Sequence, residues 1–221
     1  MPISNAAFAP GSSPTVQRPV ARAFDAGEAP LAVAWARNGG HALLREAPGR
    51  LVWLARVPLD REETALARFA LLDLGRQRFG RPSRGSYAGL LVVRVATFAA
   101  WVLERRVLRD VAHAVARVSV AFDCTRCGAC CRDNEVTLGP VDVRRLRDAG
   151  YSALRARGLV RYQGGKLRLA LAPGGACVLL GADQLCQAYQ ARPMACRAFP
   201  MGSEPCLSAR ASAGVDRALS M

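Results

Sequence analysis

Residues 124–131 are Cys124-Thr-Arg-Cys127-Gly-Ala-Cys130-Cys131, which places four cysteines within eight residues. The stretch contains two overlapping C-x-x-C units and ends in an adjacent pair of cysteines. Two thiolates three residues apart can face one metal ion, and Gly128 permits the tight turn that this needs. Such spacing serves tetrahedral zinc and also iron–sulfur clusters. A bacterial ferredoxin run places its fourth cysteine three residues later and follows it with proline, so a ferredoxin is a poor match.

The other four cysteines follow at wide intervals, at Cys177, Cys186, Cys196 and Cys206. Neighbours in this group are too far apart in sequence to chelate one ion locally, so they become ligands only if the fold brings them to the first group. Two groups of four cysteines would supply four ligands to each of two metal sites. The adjacent Cys130 and Cys131 could then point to different ions or form one bridged centre.

Several kinds of centre are compatible with this pattern. One is a structural zinc knuckle without chemistry, another is a redox-active or iron–sulfur site, and a third is a metal-handling role. Disulfide stapling is disfavoured, because residues 1–20 contain no continuous apolar segment of the kind found in a secretory signal. We therefore expect a cytoplasmic protein, whose reducing surroundings keep thiols available to metals.

Two separate motifs carry a resemblance to a known family. The stretch from Phe122 to Cys131 resembles the signature of the CxxCxxCC cysteine-cluster family, also called the YkgJ family, whose domains are described as zinc- or iron-chelating. The segments Val136–Asp142 and Arg192–Pro200 resemble its later parts in the same order, so the resemblance covers about residues 121–206. It implies that the metal ligands are Cys124, Cys127, Cys130, Cys131, Cys177, Cys186, Cys196 and, by a weaker match, Cys206.

A related motif occurs in flagellin lysine methylases, so such a domain can belong to an enzyme. The leading function predicted is metal binding by cysteine thiolates, with zinc or iron, as an ion or an iron–sulfur cluster, as the cofactor. The alternatives are an enzyme or redox protein that uses the centre, and a zinc-knuckle module that binds nucleic acid or protein. No Ser-His-Asp arrangement, phosphate-binding glycine loop or H-E-x-x-H motif points to catalysis without the metal.

The net charge of +14, from 31 basic and 17 acidic residues, is a weak argument for nucleic acid. Lys166 is the only lysine, and no basic run exceeds two residues, as in Arg105-Arg106. Arginines near bound thiolates could instead offset their negative charge. Arg192 and Arg197, on either side of Cys196, are candidates for this role.

The composition divides the chain into four segments. We expect a mobile arm in residues 1–30, an α+β region of unknown role in residues 31–120, the cysteine domain in residues 121–206 and a tail in residues 207–221. The fold class predicted is α+β, with a small, loop-rich, metal-organised cysteine domain preceded by a β-meander plus helices. About 83 residues form a marginal core, so the metal should contribute to folding of the cysteine domain.

Local patterns predict several elements of the first region. Leu31–Arg37 is predicted as a strand that leads into a hairpin turn at residues 38–40, with further strands over residues 42–46 and 51–57. Asp60 is predicted to cap a helix. Residues 87–103, the most apolar stretch, are interpreted as a buried helix rather than a membrane span, because Arg94 lies at the centre. Val107, Val111, Val115 and Val118 form a stripe that favours core packing.

In the cysteine domain, Pro140 is predicted to open a helix that ends near Gly150. The residues on either side of Gly164-Gly165 are predicted to form a hairpin.

Overall fold

The computed structural model describes residues 15–76, 78–122, 127–155 and 157–215. Helices and strands are both present, which confirms the α+β class. The chain divides into two compact units. Residues 15–121 together with 202–204 belong to one, here called the N-terminal unit, and the segments that begin at Phe122 and Pro205 belong to the other, here called the cysteine unit.

A four-stranded mixed sheet organises the N-terminal unit, in the order β2-β3-β4-β5. Its strands are β2 (Ala21–Asp25), β3 (His41–Ala47), β4 (Arg50–Arg56) and β5 (Leu90–Val95), and β2 pairs parallel to β3 while the remaining pairs are antiparallel. Two strands of the predicted meander, those over residues 42–46 and 51–57, are therefore present as β3 and β4. A separate two-stranded sheet joins β1 (Thr15–Pro19) to β6 (Arg117–Ala121).

Neighbouring side chains of a strand point to opposite faces of a sheet, and helices cover both faces of the larger sheet. Trp53 packs on one face with α2 (Arg61–Asp73) and α3 (Ala100–Asp110). Leu54 packs on the other face with α1 (Ala29–Arg37). The predicted cap of α2 is confirmed, since the Asp60 carboxylate accepts a hydrogen bond of 2.8 Å from the Glu63 N–H.

The strand predicted for Leu31–Arg37 is wrong, because this segment is the helix α1 that connects the parallel strands β2 and β3. Every residue from Leu31 to Ala36 is apolar, so the pattern fits the period of a helix as well as that of a strand. The expected hairpin turn is instead the end of α1. Gly39, at φ +89°, donates to the Ala36 carbonyl and Gly40 donates to that of Trp35, which is a Schellman arrangement.

The continuous buried helix predicted for residues 87–103 is also wrong. The stretch divides into β5, a 3-10 turn at Thr97–Ala99 and the start of α3. Within the residues that the structure describes, no helix is long and apolar enough to cross a membrane. The valine stripe is core only at its start. Val107 packs against the core, but Val111 and Val115 are exposed, because α3 ends at Asp110 and the chain enters β6 soon afterwards.

The segment predicted as a mobile arm, residues 1–30, contains regular elements in its second half. Residues 1–14 lie outside the described part of the chain, but Thr15–Pro19 and Ala21–Asp25 are strands β1 and β2. Val16 and Val20 are fully buried. Arg18 and Asp110 form a buried ion pair at 2.6 Å, which no local pattern reveals.

The cysteine unit is loop-rich and has its own apolar core, which includes Leu138, Leu146 and Leu169. Its regular elements are α4 (Pro140–Asp148), the hairpin β7–β8 (Val160–Gln163 and Lys166–Leu169), α5 (Met194–Ala198) and α6 (Glu204–Ser212), whose first residue belongs to the N-terminal unit. The predicted helix from Pro140 and the predicted hairpin are both confirmed.

Candidate metal centre

The first cysteine motif turns sharply at Gly128. This glycine lies in the left-handed region at φ +58°, and a 3-10 turn, Ala129–Cys131, follows it. The Cys131 N–H donates to the Gly128 carbonyl at 3.1 Å. A Cβ at position 128 would lie 2.9 Å from the Gln184 carbonyl oxygen. Glycine is therefore required both by the turn and by the close approach of the loop around residue 184.

Backbone hydrogen bonds bring the second group of cysteines to the first. The Cys177 N–H donates to the Cys131 carbonyl at 2.8 Å, and the Asp133 N–H donates to the Gly175 carbonyl at 2.8 Å. Leu180 and Cys186 form an isolated bridge that closes the next loop. The fold thus supplies the long-range contact that the spacing of Cys177 and Cys186 requires.

Asp142 anchors the segment that carries Cys196. This carboxylate is buried near the start of α4, where one oxygen accepts from the Gly139 N–H at 3.0 Å. The other oxygen accepts from the Met194 N–H at 2.8 Å, at the beginning of α5. Cys196 lies in the middle of α5, so one buried acid fixes its helix against α4.

Cys130 and Cys131 interact directly through their side chains. A hydrogen bond from the Cys131 thiol lowers the pKa of Cys130 to about 7, although burial acts in the opposite direction. The same bond, together with burial, raises the pKa of Cys131. The pair therefore favours one thiolate that is stabilised by its neighbouring thiol.

Three further thiols share this environment, and we call Cys130, Cys131, Cys177, Cys186 and Cys196 the five-thiol group. Burial raises the pKa of Cys177 and of Cys186, and raises that of Cys196 to about 12. Negative charge on one member raises the pKa of the others. Several thiolates in this group are therefore unfavourable without a compensating cation.

Arg192 provides part of that positive charge. Its charge helps to lower the pKa of Cys130, and at Cys186 and Cys196 it opposes burial, although the pKa of both thiols remains raised. Its Nε donates to the Tyr189 carbonyl at 3.0 Å, and its guanidinium lies 3.7 Å from the centre of the Tyr189 ring. The charge-offset role that the sequence suggests for Arg192 is consistent with this position. Arg197 donates from Nε to the Arg192 carbonyl at 3.0 Å.

Cys127 has a different partner from the five-thiol group. Its sulfur accepts a hydrogen bond of 3.4 Å from Nη1 of Arg210, whose guanidinium also lies 5.0 Å from the centre of the buried Phe122 ring. Cys206, which is buried, precedes Arg210 by four residues on α6, so both lie on one face of that helix. Arg210 thus links Cys127 to the helix that carries Cys206, and for this reason we call Cys127 and Cys206 the second thiol group.

The predicted ligands are thus brought together only in part. Cys124 lies outside the described residues, and none of the seven cysteines that are described forms a disulfide. Within those described ranges, no set of three or more His, Cys, Asp or Glu side chains has the spacing of a metal site. The assignment of all eight cysteines as ligands stays a prediction.

Two residues of the site are not identified by the sequence reasoning. Asp142 carries a weak signal, as an acid in the first turn of a helix, but its bond to Met194 is long-range. Arg210 is one of many arginines, and nothing in the local pattern distinguishes it before Cys127 is placed beside it.

Comparison with known families supports metal binding by this region in general terms. Residues 123–213 match the model of the CxxCxxCC family, described as "Putative zinc- or iron-chelating domain". No curated protein and no solved structure matches the chain. The match covers the cysteine motifs together with α6, and it supports metal binding without specifying the metal.

Proposed function

From the premise that residues 123–213 form a CxxCxxCC domain, we propose that this chain binds zinc or iron through cysteine thiolates. The observation that carries the proposal is the five-thiol group, in which Cys131 and Cys177 are joined through the backbone and the side chains influence one another's ionisation. Thiolates are the donors that zinc and iron–sulfur centres use. A thiolate centre needs reduced cysteines, which fits a reducing compartment such as the cytoplasm.

Charge explains why a cation fits this group. Buried thiols with raised pKa values ionise poorly beside each other, and a bound cation reverses this by stabilising each thiolate. Four thiolates on a divalent ion retain a charge of about −2, and nearby cations then become favourable. Arg192 beside the five-thiol group and Arg210 beside Cys127 are in place for this role.

We propose two ligand groups, because Cys127 and Cys131 have different partners. Cys130, Cys131, Cys177, Cys186 and Cys196 supply the first, and we propose that Cys127 and Cys206, with Cys124, supply the second. Cys131 and Cys127 are only four residues apart, but the first interacts with Cys130 and the second with Arg210.

Metal content and colour of anaerobically purified protein test the proposal. We expect at least one equivalent of zinc or iron for each chain. Iron with visible absorption that bleaches on reduction indicates an iron–sulfur centre capable of redox chemistry, and colourless protein with zinc indicates a closed structural site. Protein with neither metal and eight titratable thiols would show that the proposal is wrong.

The two ligand groups are tested by a matched pair of substitutions. Cys131→Ser should remove the metal or alter the spectrum of the five-thiol group. Cys127→Ser should affect a second equivalent and leave that signal in place. If both variants lose the same single metal completely, the division into two groups is wrong, although metal binding itself stands.

A further inference from the structure

One face of α3 is exposed along its whole length. Its side chains, in chain order, are Phe98, Trp101, Glu104, Arg105, Leu108 and Val111. The four apolar residues among them are between 57% and 75% exposed. The opposite face of the helix packs into the core of the N-terminal unit through residues such as Leu103. This apolar stripe, which we call the α3 face, therefore does not contribute to the core of its own unit.

The α3 face extends beyond the helix at both ends. Phe98 lies in the 3-10 turn that precedes α3, and Val111 is the C-cap residue with helical backbone angles. At 1.5 Å a residue, the stripe is about 20 Å long. Its polar residues, Glu104 and Arg105, lie at the middle, with two large apolar residues on each side.

This order is self-complementary. When two copies of a helix pack antiparallel about a twofold axis, opposed residues have numbers that add to one constant value. An axis between Glu104 and Arg105 places Trp101 opposite Leu108 of the other copy, and Phe98 opposite Val111 of the other copy. It also places Glu104 of each copy opposite Arg105 of the other. Apolar residues thus oppose apolar residues, and acid opposes base.

We propose that the α3 face binds a second copy of this chain in an antiparallel, twofold-symmetric helix pair. A symmetric dimer uses the same patch on both subunits, and this patch has the required internal symmetry. The inference concerns the N-terminal unit and is independent of the proposed metal site.

The two central charges are available for this contact. Among the described residues, none forms an ion pair with Glu104. Arg105 donates from Nε to Glu204 at 3.0 Å, but its side chain remains 48% exposed. A guanidinium has five N–H donors, so Arg105 can also bind a second carboxylate.

An anionic membrane is the other occupant that an exposed aromatic and aliphatic helix face could have. Binding at a membrane surface depends on an excess of Lys and Arg along the polar side of the stripe. The α3 face instead carries one acid and one base at its centre, with no net charge to attract lipid headgroups. The balance of one acid and one base therefore favours a second copy of this chain as the occupant of the α3 face.

The contact should be weak and dependent on concentration. The six residues of the α3 face are fewer than the roughly 20–30 residues on each side of a standard interface. The net charge of +14 also repels a second copy, and salt screens that repulsion. We therefore expect a monomer–dimer equilibrium rather than a permanent dimer.

Sedimentation velocity of the metal-loaded 221-residue protein, over about a hundredfold range of concentration, measures this equilibrium. Leu108→Asp should weaken dimerisation by about tenfold or more, because it removes an apolar contact twice in each dimer. Leu31→Asp is the matched control, since Leu31 is also exposed but lies on α1. The control should dimerise like the wild type.

A charge exchange tests the antiparallel register. Glu104→Arg alone opposes arginine to arginine, and Arg105→Glu alone opposes glutamate to glutamate, so each variant should dimerise poorly. Mixing the two variants should restore dimers, because both opposed pairs then become complementary. Thermal melts confirm that Arg105→Glu folds despite losing its bond to Glu204.

Three results would overturn the proposal. The first is a wild type that stays monomeric throughout the concentration range. The second is a mixture of the charge variants that dimerises no better than either alone. The third is a monomeric protein that binds vesicles of anionic phospholipid through this face, with binding lost in Leu108→Asp, which would assign the surface to a membrane.

Discussion

Removal of the Asp142 carboxylate should loosen the cysteine unit at the segment that carries Cys196. The side chain accepts hydrogen bonds from the N–H groups of Gly139 and Met194, at 3.0 and 2.8 Å, and is buried. A hydrogen bond to a charged group contributes about 1.5–3 kcal/mol. Two such bonds are lost, and water that enters the space left by the side chain offsets part of the loss, so we expect Asp142→Ala to cost about 2–4 kcal/mol.

Chemical denaturation, monitored for the cysteine unit with its metal bound, measures that cost. In a unit of this size it corresponds to a decrease in Tm of about 10–20 °C. The metal should also transfer to a competing chelator faster than from the wild type, because α5 loses its anchor to α4 while every cysteine is retained. The stability of Asp142→Asn should lie between that of the wild type and that of Asp142→Ala, since its amide oxygen can accept one of the two hydrogen bonds.

Asp148→Asn is the control for charge, because Asp148 is exposed at the end of the same helix. Its free energy of unfolding should stay within about 0.5 kcal/mol of that of the wild type. If Asp142→Ala unfolds at the same denaturant concentration as this control and releases metal at the same rate, Asp142 does not position Cys196 and the reasoning is refuted.

Three further outcomes are expected from denaturation of single variants. Gly128→Ala should cost more than Gly158→Ala, because both glycines have positive φ but only the Cβ at 128 meets a backbone atom, the Gln184 oxygen at 2.9 Å. Burial raises the pKa of Glu63, but hydrogen bonds from two arginines and a backbone N–H outweigh it and lower the pKa from 4.5 to about 2. The stability that Glu63 contributes is therefore present above pH 4.5 and is lost as the pH falls toward 2. The free energy of unfolding should decrease by about 3 kcal/mol over this range, and Glu63→Gln should abolish this pH dependence. Leu44→Ala should destabilise the N-terminal unit by about 2–5 kcal/mol, since Leu44 is fully buried in the sheet; a loss below about 1 kcal/mol would contradict the packing.

Elements whose signals are local could be predicted from the sequence. Asp60 caps α2, Pro140 opens α4 and Gly164-Gly165 turns the β7–β8 hairpin, because each of these residues acts on backbone within a few positions. The C-x-x-C spacing and Gly128 likewise indicate a thiol-rich turn without any information from distant residues. The family resemblance over about residues 121–206 rests on these same local motifs, and the match over residues 123–213 confirms it.

The predictions that are wrong concern segments whose local pattern fits more than one kind of element. The alanine-rich segment 29–37 has apolar residues at both helical and strand spacing, and it is a helix because it connects two parallel strands. Residues 87–103 are uniformly apolar, which indicates burial but not the element, and the position of β5 beside β4 determines where the stretch divides. Residues 15–25 lack an apolar period, yet they pair with β6 and β3.

The sequence alone therefore indicated the kind of chemistry and the region that carries it, since the type and spacing of the cysteines predict that thiolates bind a metal. Tertiary structure decided which thiols become neighbours. The bond from Cys177 to the Cys131 carbonyl, the anchor of α5 on Asp142 and the placement of Arg210 beside Cys127 each join residues at least 46 positions apart. Such contacts depend on how the loops close and pack around a shared apolar core, and that is a property of the whole unit rather than of any one segment.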